Sequence, residues 1–86
     1  MTEQEIIERI DASLAEEFEL EMSMMVPEAT LFDDLGLDSL DMVDMVIALE
    51  QAFKLKIRDE EEIRKIRTLG DIHSFVIGKV RELGML

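Results

Sequence analysis

The chain has 86 residues, 48% of them hydrophobic, with four Phe and no Trp or Tyr, so one small core of Leu, Ile, Val and seven Met is what it can bury. It has no cysteine, which excludes disulfides, gives no sign of secretion, and means that no side chain of its own could hold a thioester. Its net charge of −12 is uneven: residues 1–50 hold 15 acids and one base, residues 51–86 six acids and eight bases, a balance that excludes nucleic acid and anionic membrane and favours basic partner surfaces.

In chain order, Thr2 followed by Glu5 is a capping box. Ile6, Ile10, Leu14 and Phe18, with Ile7 alongside, make an apolar stripe that predicts a first helix over about residues 3–18, with Glu8, Arg9, Asp11 and Glu16 on its wet face. A long connection from Glu19 to Asp38 follows. Pro27 breaks any helix there, and Val26, Leu31, Phe32, Leu35 and Leu37, with Met22, Met24 and Met25, are expected to anchor it to the core. A second helix runs from about Ser39 to Phe53. Asp59 and Glu62 frame a short third helix through about Lys65. Thr68 and Asp71 open a fourth, whose Ile72, Phe75, Val76, Val80 and Leu83 share a face until Gly84. The acidic N-terminus and the lack of a membrane-length apolar run predict a cytoplasmic protein. The expected fold is all-α, a small four-helix bundle in one domain over residues 1–86, monomeric, with a long loop between helices one and two.

The segment Leu35-Gly36-Leu37-Asp38-Ser39-Leu40 places a serine at the start of helix two. Gly36 lets the loop turn, Asp38 or Ser39 can cap the helix, and converging N–H groups would suit a phosphate near the serine oxygen. Stepping about 100° per residue gathers Met42, Met45, Val46, Leu49, Ala52 and Phe53 on a core face. Leu40, Val43 and Ile47 fall on the far side instead, flanked by Asp41, Asp44 and Glu50. An apolar stripe rimmed by acids reads as a docking surface, unless the loop or helix three covers it.

Asp33-Asp34-Leu35-Gly36-Leu37-Asp38-Ser39-Leu40-Asp41, with a helix ending Ala48-Leu49-Glu50-Gln51-Ala52-Phe53, resembles the acyl carrier proteins. The resemblance runs from the first helix to about Val80 and is strongest between Leu31 and Phe53. It implies that a phosphopantetheinyl transferase modifies Ser39, set between Asp38 and Leu40, so that its hydroxyl attacks coenzyme A and acquires 4′-phosphopantetheine. The arm's thiol would carry acyl cargo for fatty-acid or specialised lipid or polyketide biosynthesis. Acyl-transferring and condensing enzymes with basic surfaces would dock on helix two at Leu40, Asp41, Val43, Asp44, Ile47 and Glu50. A peptidyl or D-alanyl carrier shares fold and arm, whereas an acidic helical adaptor without a prosthetic group would use the stripe alone.

Other chemistries lack their parts. Asp33 to Asp44 has the length of a calcium loop, but Leu35 and Leu37 occupy ligand positions and Asp38 stands where the sixth-position Gly is needed. One histidine and no cysteine give no zinc set. His73, at the border of the apolar face of helix four, reads as a partly buried structural residue, and no catalytic residue or phosphate-binding Gly-rich loop is expected. The basic run Lys54, Lys56, Arg58, Arg64, Lys65 and Arg67 departs from the acidic pattern of typical carriers. It reads equally as charge balancing or as a surface for a dedicated partner set.

Overall fold

Each of the three long helices starts at a reciprocal cap, and those caps fix the frame. The computed structural model describes residues 1–57 and 60–84, with the side chain of Glu60 outside that set. Helix α1 spans Glu3–Glu17, α2 Ser39–Phe53, α3 Glu60–Lys65 and α4 Leu69–Glu82, with a short 3-10 turn at Met22–Met24. The Thr2 hydroxyl accepts the Glu5 N–H at 3.2 Å while the Glu5 carboxylate accepts the Thr2 N–H at 3.1 Å. Thr68 and Asp71 repeat the arrangement on α4. The N–H groups of Arg67 and then Thr68 hold the Asp71 carboxyl below the usual aspartate range, and Thr2 does the same for Glu5. The expected start of the third helix at Asp59 lies outside the described residues, as does Arg58.

The core forms where α1 packs against α2 and α4. Ile6, Ile10 and Leu14 from α1 meet Met45, Leu49 and Phe53 from α2 and Leu69, Ile72, Val76 and Val80 from α4. Two positions depart from the periodic reading. Asp11 is buried rather than on the wet face, because α4 brings His73 against it: His73 Nε2 stands 2.7 Å from Asp11 Oδ1. A carboxylate only accepts, so that nitrogen carries the proton. Leu83 is exposed although it continues the α4 stripe. Leu83 is the C-cap residue beyond the last turn of α4, where the Arg81–Glu3 contact sets that end beside the start of α1.

The long connection is held both by backbone hydrogen bonds and by part of its apolar side chains. Leu31 N–H bonds the Arg67 carbonyl at 3.0 Å, Leu69 N–H the Ala29 carbonyl at 2.9 Å, and Gly70 N–H the Pro27 carbonyl at 2.8 Å. A Cβ on residue 70 would lie 3.0 Å from the Pro27 oxygen, so a larger residue there would press the Pro27 backbone outward and the close approach favours glycine. Met25, Ala29, Leu31, Leu35 and Leu37 are buried, but Met22, Met24, Val26 and Phe32 are exposed, contrary to their expected anchoring role. With Leu31 and Leu35 pointing inward, Phe32 between them is turned out. The Met22–Met24 turn likewise rides on the surface.

Candidate functional site

The site begins where the loop turns into α2. Leu37 N–H bonds the Leu31 carbonyl at 2.9 Å, and Gly36 takes a left-handed φ of 70° that reverses the chain. Asp38 then caps α2. Its Oδ1 accepts the N–H groups of Leu40 and Asp41, each at 3.0 Å, and Asp41 Oδ2 accepts the Asp38 N–H at 2.9 Å. Of the two capping candidates the aspartate does the capping, leaving Ser39 exposed at the first helical position. Among the described residues no group is hydrogen-bonded to its hydroxyl. The cap has a second consequence. Two of the donors expected to face a phosphate at the helix start, the N–H groups of Leu40 and Asp41, are already held by the Asp38 carboxylate, which leaves that of Ser39 itself.

Ser39 stands on the rim of an open groove of about 680 Å³ between α2 and α3. Met42, Val43, Val46 and Ile47 form one wall, Ile57, Ile63 and Ile66 the other, with Phe32 beside them and Arg64 and Arg67 among the lining residues. Sequence periodicity missed this groove. It assigned Met42 and Val46 wholly to the core, where they are only partly buried, and it had no means of setting α3 opposite them. The apolar spacing of Ile63 and Ile66 was the available signal.

The proposed docking residues fall into two groups. Leu40, Val43 and Ile47 are 75%, 58% and 47% exposed, so neither the loop nor α3 covers them, and Asp44 is exposed beside them. Asp41 and Glu50 are half-buried and already engaged: Asp41 closes the cap, and Glu50 Oε2 accepts the Ile57 N–H at 2.8 Å, bracing the chain that leaves α2. Among the described residues no cluster of His, Asp or Glu has the arrangement of a metal site, and no helix is long and apolar enough to cross a membrane. His73, fully occupied with Asp11 in the core, lies on a different helix from Ser39.

A serine free of capping, on the rim of an apolar groove, fits a covalently attached arm whose cargo needs shelter. Comparison with known proteins identifies the family. Residues 8–76 match the family described as a phosphopantetheine attachment site. The chain is 39% identical over 80 residues to an acyl carrier protein of Thermosynechococcus vestitus, covering 93% of this chain and 98% of that one. It is 43% identical over 83 residues to acyl carrier protein 2 of Ralstonia nicotianae, covering 96% of each. With the acyl carrier protein of Thermotoga maritima it shares 39% over 77 residues, covering 90% of this chain and 94% of that one. Fold, groove and these likenesses together place the chain in the acyl carrier family, whose members hold 4′-phosphopantetheine and are carriers, not catalysts.

Proposed function

We propose that Ser39 is the attachment residue and that the chain presents acyl thioesters to acyl-transferring and condensing enzymes. The observation that carries this reading is the Asp38 cap, which leaves the Ser39 hydroxyl exposed at the rim of the α2–α3 groove. In the modification step Ser39 Oγ attacks the pantetheine-bearing phosphorus of coenzyme A, the pyrophosphate P–O bond breaks, adenosine 3′,5′-bisphosphate leaves, and the hydroxyl proton passes to a base on the transferase. The Asp38–Asp41 box fixes the helix start, and Gly36 keeps the loop clear of it. The arm, when attached, supplies the thiol that a chain without cysteine lacks. The groove side chains then exclude water from the cargo, and each buried methylene favours that state by about 0.8 kcal/mol.

Acyl rather than aminoacyl cargo is supported by the relatives, all three named as acyl carriers. Incubation with coenzyme A and a broad-specificity transferase should add one phosphopantetheine by intact mass, and Ser39→Ala should accept none. Peptide mapping that placed the group on Ser13, Ser23 or Ser74 would overturn the assignment.

A further inference from the structure

The cap that frees Ser39 creates an electrostatic difficulty for a phosphodiester built on it. In many helices an anion at the first turn is held by free N–H groups. Here Asp38 Oδ1 takes those of Leu40 and Asp41, and the Asp38 carbonyl takes that of Met42 at 3.2 Å. Two carboxylates, Asp38 and Asp41, therefore flank the attachment point. Residues 1–50 contain a single base, Arg9, and it lies 5.8 Å over the Phe53 ring at the far end of α2. The Ser39 N–H keeps one donor at the site, and among the described residues the cations that line the groove opposite α2 are Arg64 and Arg67.

Backbone hydrogen bonds place Arg67 at the Ser39 end. The Arg67 carbonyl accepts the Leu31 N–H, the Leu31 carbonyl accepts the Leu37 N–H, and Asp38 and Ser39 follow directly. Two hydrogen-bonded spacings, each about 5 Å, thus separate the backbone of Arg67 from that of Leu37. The Arg67 side chain is also held in place. Its Nη1 donates to the carbonyls of Arg64 at 2.6 Å and Ile66 at 3.1 Å, which leaves Nε and Nη2 available. Among the described residues no carboxylate is within ion-pair distance of that guanidinium; Asp71 is bonded to the Arg67 backbone N–H and feels the guanidinium charge only from farther off, as a minor part of what lowers its carboxyl.

We infer that Arg67 is a positioning residue for the prosthetic arm: its guanidinium pairs with the Ser39 phosphodiester and turns the arm along the α2–α3 groove. The planar fork of arginine matches phosphate oxygens in a way that a lysine ammonium does not. This inference rests on phosphopantetheine being attached at Ser39, and the experiment separates the two claims.

Wild-type protein, Arg67→Gln, Arg67→Lys and a charge control, Arg81→Gln, are converted with coenzyme A and a transferase, and loading on Ser39 is confirmed by mass. In wild type, loading should shift the Arg67 side-chain ¹⁵Nε NMR signal while leaving that of Arg81 in place. The ³¹P signal of the holo protein should differ between wild type and Arg67→Gln at low salt, and the difference should shrink toward zero near about 1 M NaCl. Arg67→Lys should fall between them, and Arg81→Gln should match wild type. The holo-minus-apo melting difference should be larger in wild type than in Arg67→Gln. Loaded protein in which the Arg67 signal does not move, or in which Arg67→Gln and wild type share one ³¹P shift, overturns the pairing and leaves the carrier assignment standing. Failure of Ser39 to load at all overturns both. The wild-type nitrogen signal decides the matter even if Arg67→Gln does not fold.

Discussion

Asp11 and His73 show how a single buried contact is both a risk and a constraint. They lie 62 positions apart, each almost wholly out of solvent, and satisfy each other across the α1–α4 interface at 2.7 Å. Among the described residues no buried side-chain polar atom is left without a partner, so this pair completes an otherwise apolar contact. Removing one member strands the other, which costs about 1–3 kcal/mol, whereas replacing both with apolar groups of similar shape is close to neutral. Asp11→Ala and His73→Ala should each lower urea stability by about that much at neutral pH. Asp11→Leu combined with His73→Leu should recover most of the loss. Additive single and double losses would show that the two residues are not coupled. Asp11 could not be recognised from periodicity, because an acid at the edge of an apolar stripe looks like any solvated acid until its partner's position is known.

At the scale of the element, α2 has one face in the core and a second, exposed apolar row, two of whose residues, Val43 and Ile47, also line the groove, and the charges and the apolar residues of that exposed side make separable predictions. Asp44 is the clean charge to reverse, since it is exposed, while Asp41 also closes the cap and Glu50 also braces Ile57. If α2 is where a basic transferase docks, Asp44→Lys should slow pantetheinylation several-fold through association, and the deficit should fade as salt rises. Val43→Ser should instead speed dissociation with little salt dependence. Glu16→Lys, an equal charge change on α1, should matter far less. Equal damage from Glu16→Lys would reduce the effect to bulk charge. The helix itself was legible, because its stretch from Ser39 to Phe53 has a turn before it, no internal Gly or Pro, and a single apolar period for its core face. The groove was not. It needs Phe32 turned outward by its inward neighbours, and Ile57, Ile63 and Ile66 brought over by a six-residue helix and its flanks. Those placements depend on backbone bonds between the Pro27–Leu31 and Arg67–Gly70 segments, which no local pattern encodes.

For the whole molecule the governing quantity is charge. The described residues occupy 34 × 26 × 20 Å, and at about 0.01 M salt the screening length is about 30 Å, so the acids of residues 1–50 all repel one another across the fold. Two like charges about 10 Å apart in water repel by about 0.4 kcal/mol, and many such pairs sum to several kcal/mol. The described surface ion pairs that salt would weaken in return are individually small. Among the described residues the surface ion pairs recorded are Lys79–Glu82 at 3.9 Å and Arg81–Glu3 at 3.8 Å, and exposed pairs of this kind contribute about 0–1 kcal/mol each. Relief of repulsion should therefore win. The melting temperature at neutral pH should rise between about 0.01 M and 1 M NaCl, where screening shortens to about 3 Å. Each kcal/mol regained is worth about 4–8 °C in a domain of this size. Sodium chloride is the salt to use, because sulfate would also strengthen apolar burial and confuse the cause. Replacing exposed acids on α1 and the long connection with glutamine should flatten the salt curve from its low end, raising the low-salt value and leaving the high-salt value nearly unchanged. A melting temperature that stayed flat or fell with salt would mean that the eight bases of residues 51–86 already offset the acids in the folded state.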